Sequence, residues 1–249
     1  MALTQEQINH FQARGYLPYE KVIEDDWLAT LRQAYDHEMS RGPEGGSFRS
    51  PAETPNDNGG TATQQRMLQI MNMCERSLAF RRLIHHEPIL DAVEDLIGPN
   101  IMLFHDQALF KPAFEGGPIF WHQDNAYWKC RPANLVSCWL TLDDVDRDNG
   151  AMQILPCSHL QPHLHDRSEQ SGALLKTKLE IDEAQVVSVD LPAGACMFHH
   201  CQTLHCTHPN ATDRQRRAFA IHFMPFGTRD ANGEIMHASF TRPVLRMRS

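Results

Sequence analysis

No apolar stretch in this chain reaches the roughly 18 residues that a membrane-spanning helix needs. The opening stretch, Met1 to Phe11, is polar and periodic and has no signal-peptide core. There is no CxxC pair, and seven cysteines is an odd number. That fits free thiols in a reducing compartment better than a disulfide frame or a zinc knuckle, so a cytoplasmic location is expected. Excess positive charge is missing too. The formal net charge is −8, and Arg242, Arg246 and Arg248 are too few and too interrupted to make a basic arm. A nucleic-acid footprint is therefore not expected, nor is a membrane partner. No repeat of 20–50 residues and no low-complexity tract occurs.

What the chain does have is histidine, 15 in 249 residues. His122-Gln123-Asp124 is the informative string, with His205 far downstream and Arg216 a further 11 residues on. Two imidazoles and one carboxylate can grip one face of an octahedral metal and leave the other face open, the ligand set of non-haem Fe(II) oxygenases. Ligand type alone leaves Fe(II), Mn(II) and Zn(II) unseparated. Arg216 breaks the tie. In a strand it shares a face with Ala218, Ala220 and His222, and small neighbours leave room for an anion. A buried Arg needs an anionic partner, because an unpaired buried charge is very costly. A bound dicarboxylate, held through a bidentate pair, is a natural one.

The first third reads as helical. Thr4 with Gln7 makes a capping-box pattern and Gly15 stops the helix. Asp25 or Asp26 is expected to cap a second helix with Trp27, Leu28, Leu31 and Tyr35 on one side. Residues 41–61 are rich in Gly, Pro, Ser, Thr and Asn and read as a surface loop, a candidate lid. A third helix is expected from about Met67 to Ile84, and a fourth after Pro88, closed by Gly98-Pro99.

From Ile101 the period changes to two. Leu103, His105, Gln107, Leu109 and Lys111 are expected on one strand face, and Phe120, His122 and Asp124 on the next. Over Leu135 to Leu142, Val136, Cys138, Leu140 and Leu142 take one side, and Ser137, Trp139 and Thr141 the other. Further strands are expected near 151–155, 186–189, 196–200, 203–207 and 216–224. Helices first and then about eight short strands imply an α+β fold class whose β part is a double-sheet jelly roll. Residues 1–249 read as one oxygenase domain, with a mainly helical portion at 1–98, a jelly-roll core at 99–226 and a tail at 227–249.

The chain resembles the phytanoyl-CoA dioxygenase family of Fe(II)/2-oxoglutarate-dependent oxygenases. The resemblance rests on Trp121-His122-Gln123-Asp124, Trp139 through Asp144, Asn149-Gly150, Pro156-Cys157-Ser158-His159, Lys111-Pro112 and His205 through Asn210 to Arg216. It spans about Leu3 to Met224 and implies a double-stranded β-helix (jelly-roll, cupin-like) core with N-terminal helices packed outside. It implies iron on His122, Asp124 and His205, 2-oxoglutarate and O₂ as cosubstrates, Arg216 on the far carboxylate and Trp139 lining that pocket. Gln107 and, more loosely, Gln69 fall where relatives carry cosubstrate-contacting side chains. The distal motif departs from the common His-Gly-Ser, reading His205-Cys206-Thr207. Relatives that halogenate carry a small residue where this chain has Asp124, so hydroxylation of a small-molecule substrate is expected.

Two other readings share the ligand set: a metal-binding jelly roll without turnover, and an extradiol-type dioxygenase. Neither gives Arg216 a cosubstrate role. His199, His200 and His208 crowd the distal ligand and are expected beside it rather than on the metal. His200 is the one expected to steady a carboxylate. Phe120, Tyr127 and Trp128 suit a pocket wall or the core equally.

Overall fold

The computed structural model describes residues 2–41, 48–49, 68–167 and 174–248. Helix α1 (Gln5–Arg14) starts at the expected capping box: Thr4 Oγ1 accepts from the Gln7 amide at 3.2 Å, and Gln7 Oε1 accepts from the Thr4 amide at 2.8 Å. Gly15 ends it at φ 81°, a left-handed conformation that suits glycine. A strand not foreseen, β1 (Tyr16–Lys21), follows at once. In helix α2 (Asp25–Ser40) the N-cap position is Glu24, which makes no side-chain cap bond, rather than Asp25 or Asp26. Those two carboxylates lie in the first turn, where the helix dipole favours negative charge.

The expected third helix is a strand and two short helices. β3 (Leu68–Met71) pairs with β2 (Phe48–Arg49). Asn72 then turns the chain at φ 57° into α3 (Met73–Arg76) and α4 (Leu78–Leu83). Sheet pairing overrode the helical spacing here. The candidate lid lies outside the described residues, apart from Arg41 and Phe48–Arg49. Helix α5 (Glu87–Ile97) begins with Pro88 in its first turn and ends at Gly98, as expected.

The remaining strands are β4 (Ile101–Lys111), β5 (Ile119–His122), β6 (Val136–Thr141), β7 (Met152–Ile154), β8 (His165–Arg167), β9 (Leu175–Thr177), β10 (Val187–Val189), β11 (Ala195–His200), β12 (His205–Thr207), β13 (Arg216–Pro225) and β14 (Val244–Arg246). The larger sheet runs β1-β11-β6-β13-β4-β3-β2, with β14 also on β4, and the smaller runs β10-β7-β12-β5. Every pairing in both is antiparallel. A two-sheet jelly-roll core with helices outside is thus what forms. Among the described residues, no helix is long and apolar enough to cross a membrane.

Alternation along β6 and β13 sorts side chains into two layers. Cys138, Leu140, Phe219, Ile221 and Phe223 pack outward against Leu31, Tyr35, Phe80 and Leu90 of the helices. Each such buried side chain contributes about 1.5–3 kcal/mol. Trp139, Ala218 and Ala220 point inward, toward Met152, Ile154 and Val189 of the smaller sheet. On the outward side Arg217 donates to Asp143 at 2.7 Å and to Asp36 of α2 at 2.8 Å, which ties helix to sheet.

One expected face breaks. A bulge lies where His222 pairs with His105 and Phe223 with Leu103, so Phe104 is the extra residue. Phe104 and His105 therefore lie on the same side, both against the Trp128 ring. Leu103 turns to the outer core instead of joining His105 and Gln107.

Candidate metal and cosubstrate site

Between the sheets lies a cavity of about 690 Å³. His122 reaches it from the end of β5 and His205 from the start of β12, and these two residues are direct cross-strand partners. Asp124 does not share their strand. Gln123 caps a short helix, α6 (Asp124–Trp128), so Asp124 enters the site from a first helical turn. Gln123 points away, as expected. Its amide donates to the carbonyls of Gln161 at 3.0 Å and Gln202 at 2.6 Å, and its Oε1 accepts from the His163 amide at 2.8 Å. The residue between the two site residues thus pins the loop beside them.

Both imidazoles are oriented by backbone. His122 Nδ1 lies 2.7 Å from the Phe120 carbonyl, and His205 Nδ1 lies 2.9 Å from that of Thr203. A carbonyl only accepts, so Nδ1 carries the proton and Nε2 is left with its lone pair. Those Nε2 atoms lie 3.6 and 3.7 Å from Asp124 Oδ1. One donor atom from each of the three residues lies within 4.8 Å of the others, a set that could hold one metal ion. Burial pushes the His205 pKa down to about 3, aided by the neighbouring His122, which keeps the ring neutral as a ligand must be. Burial opposes ionisation of Asp124, but the adjacent His205, His122 and His199 outweigh it and hold the carboxyl well below its usual range.

Arg216 lies in the same cavity. It is 1% exposed, and its Nε has no hydrogen-bond partner among the described residues. One terminal nitrogen donates to the Leu109 carbonyl at 3.1 Å, and the guanidinium carbon is 5.9 Å from the Trp139 ring centre. Among the described residues no carboxylate pairs with it. Burial lowers its pKa to about 10, which still leaves it charged at neutral pH. An orphaned, buried guanidinium beside an open-faced donor set fits a dicarboxylate that spans the two. Gln107, Gln69 and Trp139 line the same cavity, so the seven residues singled out in the sequence meet at one place.

A family model described as phytanoyl-CoA dioxygenase matches residues 11–218. The chain belongs to that family. Peroxisomal phytanoyl-CoA dioxygenase of Mus musculus is 29% identical over 237 residues, 89% of this chain and 68% of that protein. Among solved structures, EvdO2 of Micromonospora carbonacea in complex with 2-oxoglutarate superposes with a TM-score of 0.65 at 26% identity, covering 90% of this chain and 91% of that one. The epimerase SnoN from nogalamycin biosynthesis, in complex with Fe³⁺, alpha-ketoglutarate and nogalamycin RO, superposes with a TM-score of 0.75 at 21% identity, covering 97% and 98%. Family and donor set together make this chain a non-haem iron, 2-oxoglutarate-dependent oxygenase.

Around Asp124, sequence reasoning missed Ser137 and His222 and gave the carboxylate the wrong histidine of an expected pair. His199, not His200, meets the carboxylate, with Nε2 3.2 Å from Oδ2. His200 faces elsewhere, its Nδ1 accepting from the Gln202 amide at 3.1 Å. In β11 consecutive side chains alternate, so only one of the pair can point inward. Ser137 Oγ donates to Oδ2 at 3.2 Å and meets His222 at 2.7 Å. The strand faces of Ser137 and His222 are legible in the sequence, but nothing local marks either as a neighbour of the ligand. Tyr127 and Trp128 resolve as cavity wall, whereas Phe120 contributes its carbonyl to His122.

Proposed function

We propose that the enzyme hydroxylates an unactivated C–H bond of a small-molecule substrate, with His122, Asp124 and His205 holding Fe(II) and Arg216 holding the far carboxylate of 2-oxoglutarate. The buried, carboxylate-free Arg216 beside the His–Asp–His set is the observation that carries this reading. Bound Fe(II) supplies O₂ activation, in which 2-oxoglutarate, O₂ and R–H become succinate, CO₂ and R–OH.

The chain's own residues bind and orient. His122 and His205 present Nε2 because Phe120 and Thr203 hold Nδ1. Trp139 walls the cosubstrate pocket, and Gln107 and Gln69 line the same cavity beside it. His105, Tyr127, Trp128 and Leu174 line the remainder of the cavity, where substrate would sit. We read residues 1–249 as one oxygenase domain. The seven free thiols support a reducing compartment, the cytoplasm.

The test is an anaerobic titration with Fe(II), then 2-oxoglutarate, followed through the weak visible metal-to-ligand charge-transfer band. A band in the wild type that vanishes in His205→Ala is expected. Bound iron with no band would move the extradiol or non-turnover reading to first place.

A further inference from the structure

A hydrogen-bond chain of fixed direction runs from the cavity wall to Asp124. Gln107 Nε2 lies 3.2 Å from His222 Nε2, His222 Nδ1 lies 2.7 Å from Ser137 Oγ, and Ser137 Oγ lies 3.2 Å from Asp124 Oδ2. Proton counting sets the direction. An ionised carboxylate only accepts, so the single hydroxyl proton of Ser137 goes to Asp124. Ser137 Oγ then accepts from His222, which puts the imidazole proton on Nδ1. His222 Nε2 keeps a lone pair and takes an N–H from the Gln107 amide. Gln107 Oε1 remains as an acceptor on a residue that lines the cavity. Ser137 and His222 are 0% and 2% exposed, so water does not readily replace these partners.

The chain ends on one oxygen of the carboxylate. Oδ2 receives Ser137 and His199, both at 3.2 Å, while Oδ1 faces the Nε2 atoms of His122 and His205. An oxygen that already accepts two hydrogen bonds is a poor second ligand for the same metal.

We propose that Gln107, His222 and Ser137 form a positioning relay that holds Asp124 as a one-oxygen ligand through Oδ1 and transmits the occupancy of the cavity at Gln107 to that carboxylate. The inference rests on the iron-site reading above. Its sign follows from hydrogen-bond polarisation. A ligand that donates to Gln107 Oε1 makes each N–H or O–H along the chain a better donor. Asp124 then gives less charge to the metal. Cutting the chain leaves Asp124 a stronger donor, which shifts the charge-transfer band, but frees the carboxylate to rotate, and the lost positioning outweighs the gained charge in metal affinity.

The experiment is the same anaerobic titration on the full chain, first with Fe(II) alone and then with 2-oxoglutarate. Ser137→Ala is expected to weaken Fe(II) binding about 10–100-fold and to move the charge-transfer band to longer wavelength. Ser137→Thr, which restores the hydroxyl, is expected to recover most of the affinity. A wild-type band establishes the iron and 2-oxoglutarate reading separately, so the variants report on the relay alone. Unchanged Fe(II) affinity and band position in a folded Ser137→Ala would overturn the relay. If that variant does not fold, Gln107→Leu in Fe(II) alone decides, because Gln107 lies at the cavity end of the chain. A smaller loss of affinity supports the relay, and wild-type affinity sinks it.

Discussion

The Arg216 guanidinium stands 5.9 Å from the Trp139 ring centre, one terminal nitrogen donating to the Leu109 carbonyl and its Nε without a hydrogen-bond partner among the described residues. A cation buried in this way is costly until an anion arrives. Arg216→Leu is therefore expected to weaken 2-oxoglutarate binding by about 3 kcal/mol, on the order of 100-fold in Kd. The ligand-free variant is expected to melt at or above the wild-type temperature, because an uncompensated charge has been removed. Calorimetric titration with 2-oxoglutarate and a thermal scan check the two halves, and tight binding by Arg216→Leu would remove the cosubstrate role.

Asp106 is a second buried charge, on the opposite face of β4. Its Oδ1 accepts from the Cys74 amide at 3.0 Å, and its Oδ2 has no hydrogen-bond partner among the described residues. Burial raises its pKa from the ordinary 3.8 to about 6. An acid with a raised folded pKa penalises the fold when ionised. That penalty is absent below the unfolded value and grows as pH rises through about 6. Asp106→Asn is expected to be more stable than wild type at pH 7 by up to about 3 kcal/mol, the gap closing toward pH 4. His200, which burial keeps neutral down to about 4, drives the opposite trend as pH falls, but both proteins share it. Urea melts of the pair at pH 4, 5.5 and 7 isolate the Asp106 contribution, and a gap independent of pH would refute it.

Lys111 is 0% exposed and is the cross-strand partner of Arg216. Burial and the Arg216 charge push its pKa well down. Its Nζ donates to the carbonyls of Gly117 and His208. Lys111→Met keeps the length of the side chain and strands both carbonyls, at an expected cost of about 2–4 kcal/mol. Denaturant melts with an unchanged slope would register it, and a loss below about 0.5 kcal/mol would mean water satisfies those carbonyls.

Gly15 links the first helix to the distal imidazole. Its carbonyl accepts from Thr203 Oγ1 at 2.6 Å and from the His200 amide at 2.9 Å, and the Thr203 carbonyl in turn holds His205. A Cβ there would lie 2.7 Å from Thr203 Oγ1 and against the His159 ring, at φ 81°. Gly15→Ala is expected to cost about 1–3 kcal/mol and to lower Fe(II) affinity through the displaced His205. Melting temperature and metal-only titration measure these, and a destabilised variant with wild-type affinity would confine Gly15 to the fold.

The sequence by itself determined the two helices closed by Gly15 and Gly98, the inward and outward faces of β6 and β13, and the candidate metal and cosubstrate side chains that meet in one cavity. Those features are local: a capping box, a period of two, a residue type whose chemistry admits few uses. Tertiary structure decided the rest. Leu68–Met71 became a strand because β4 offered it a partner. Leu103 left its expected face because a bulge added Phe104. Asp124 came in from a helical turn, and His199 rather than His200 met its carboxylate. Strand register, a bulge and the approach of one element to another depend on contacts between residues distant in the chain, and no local period encodes them.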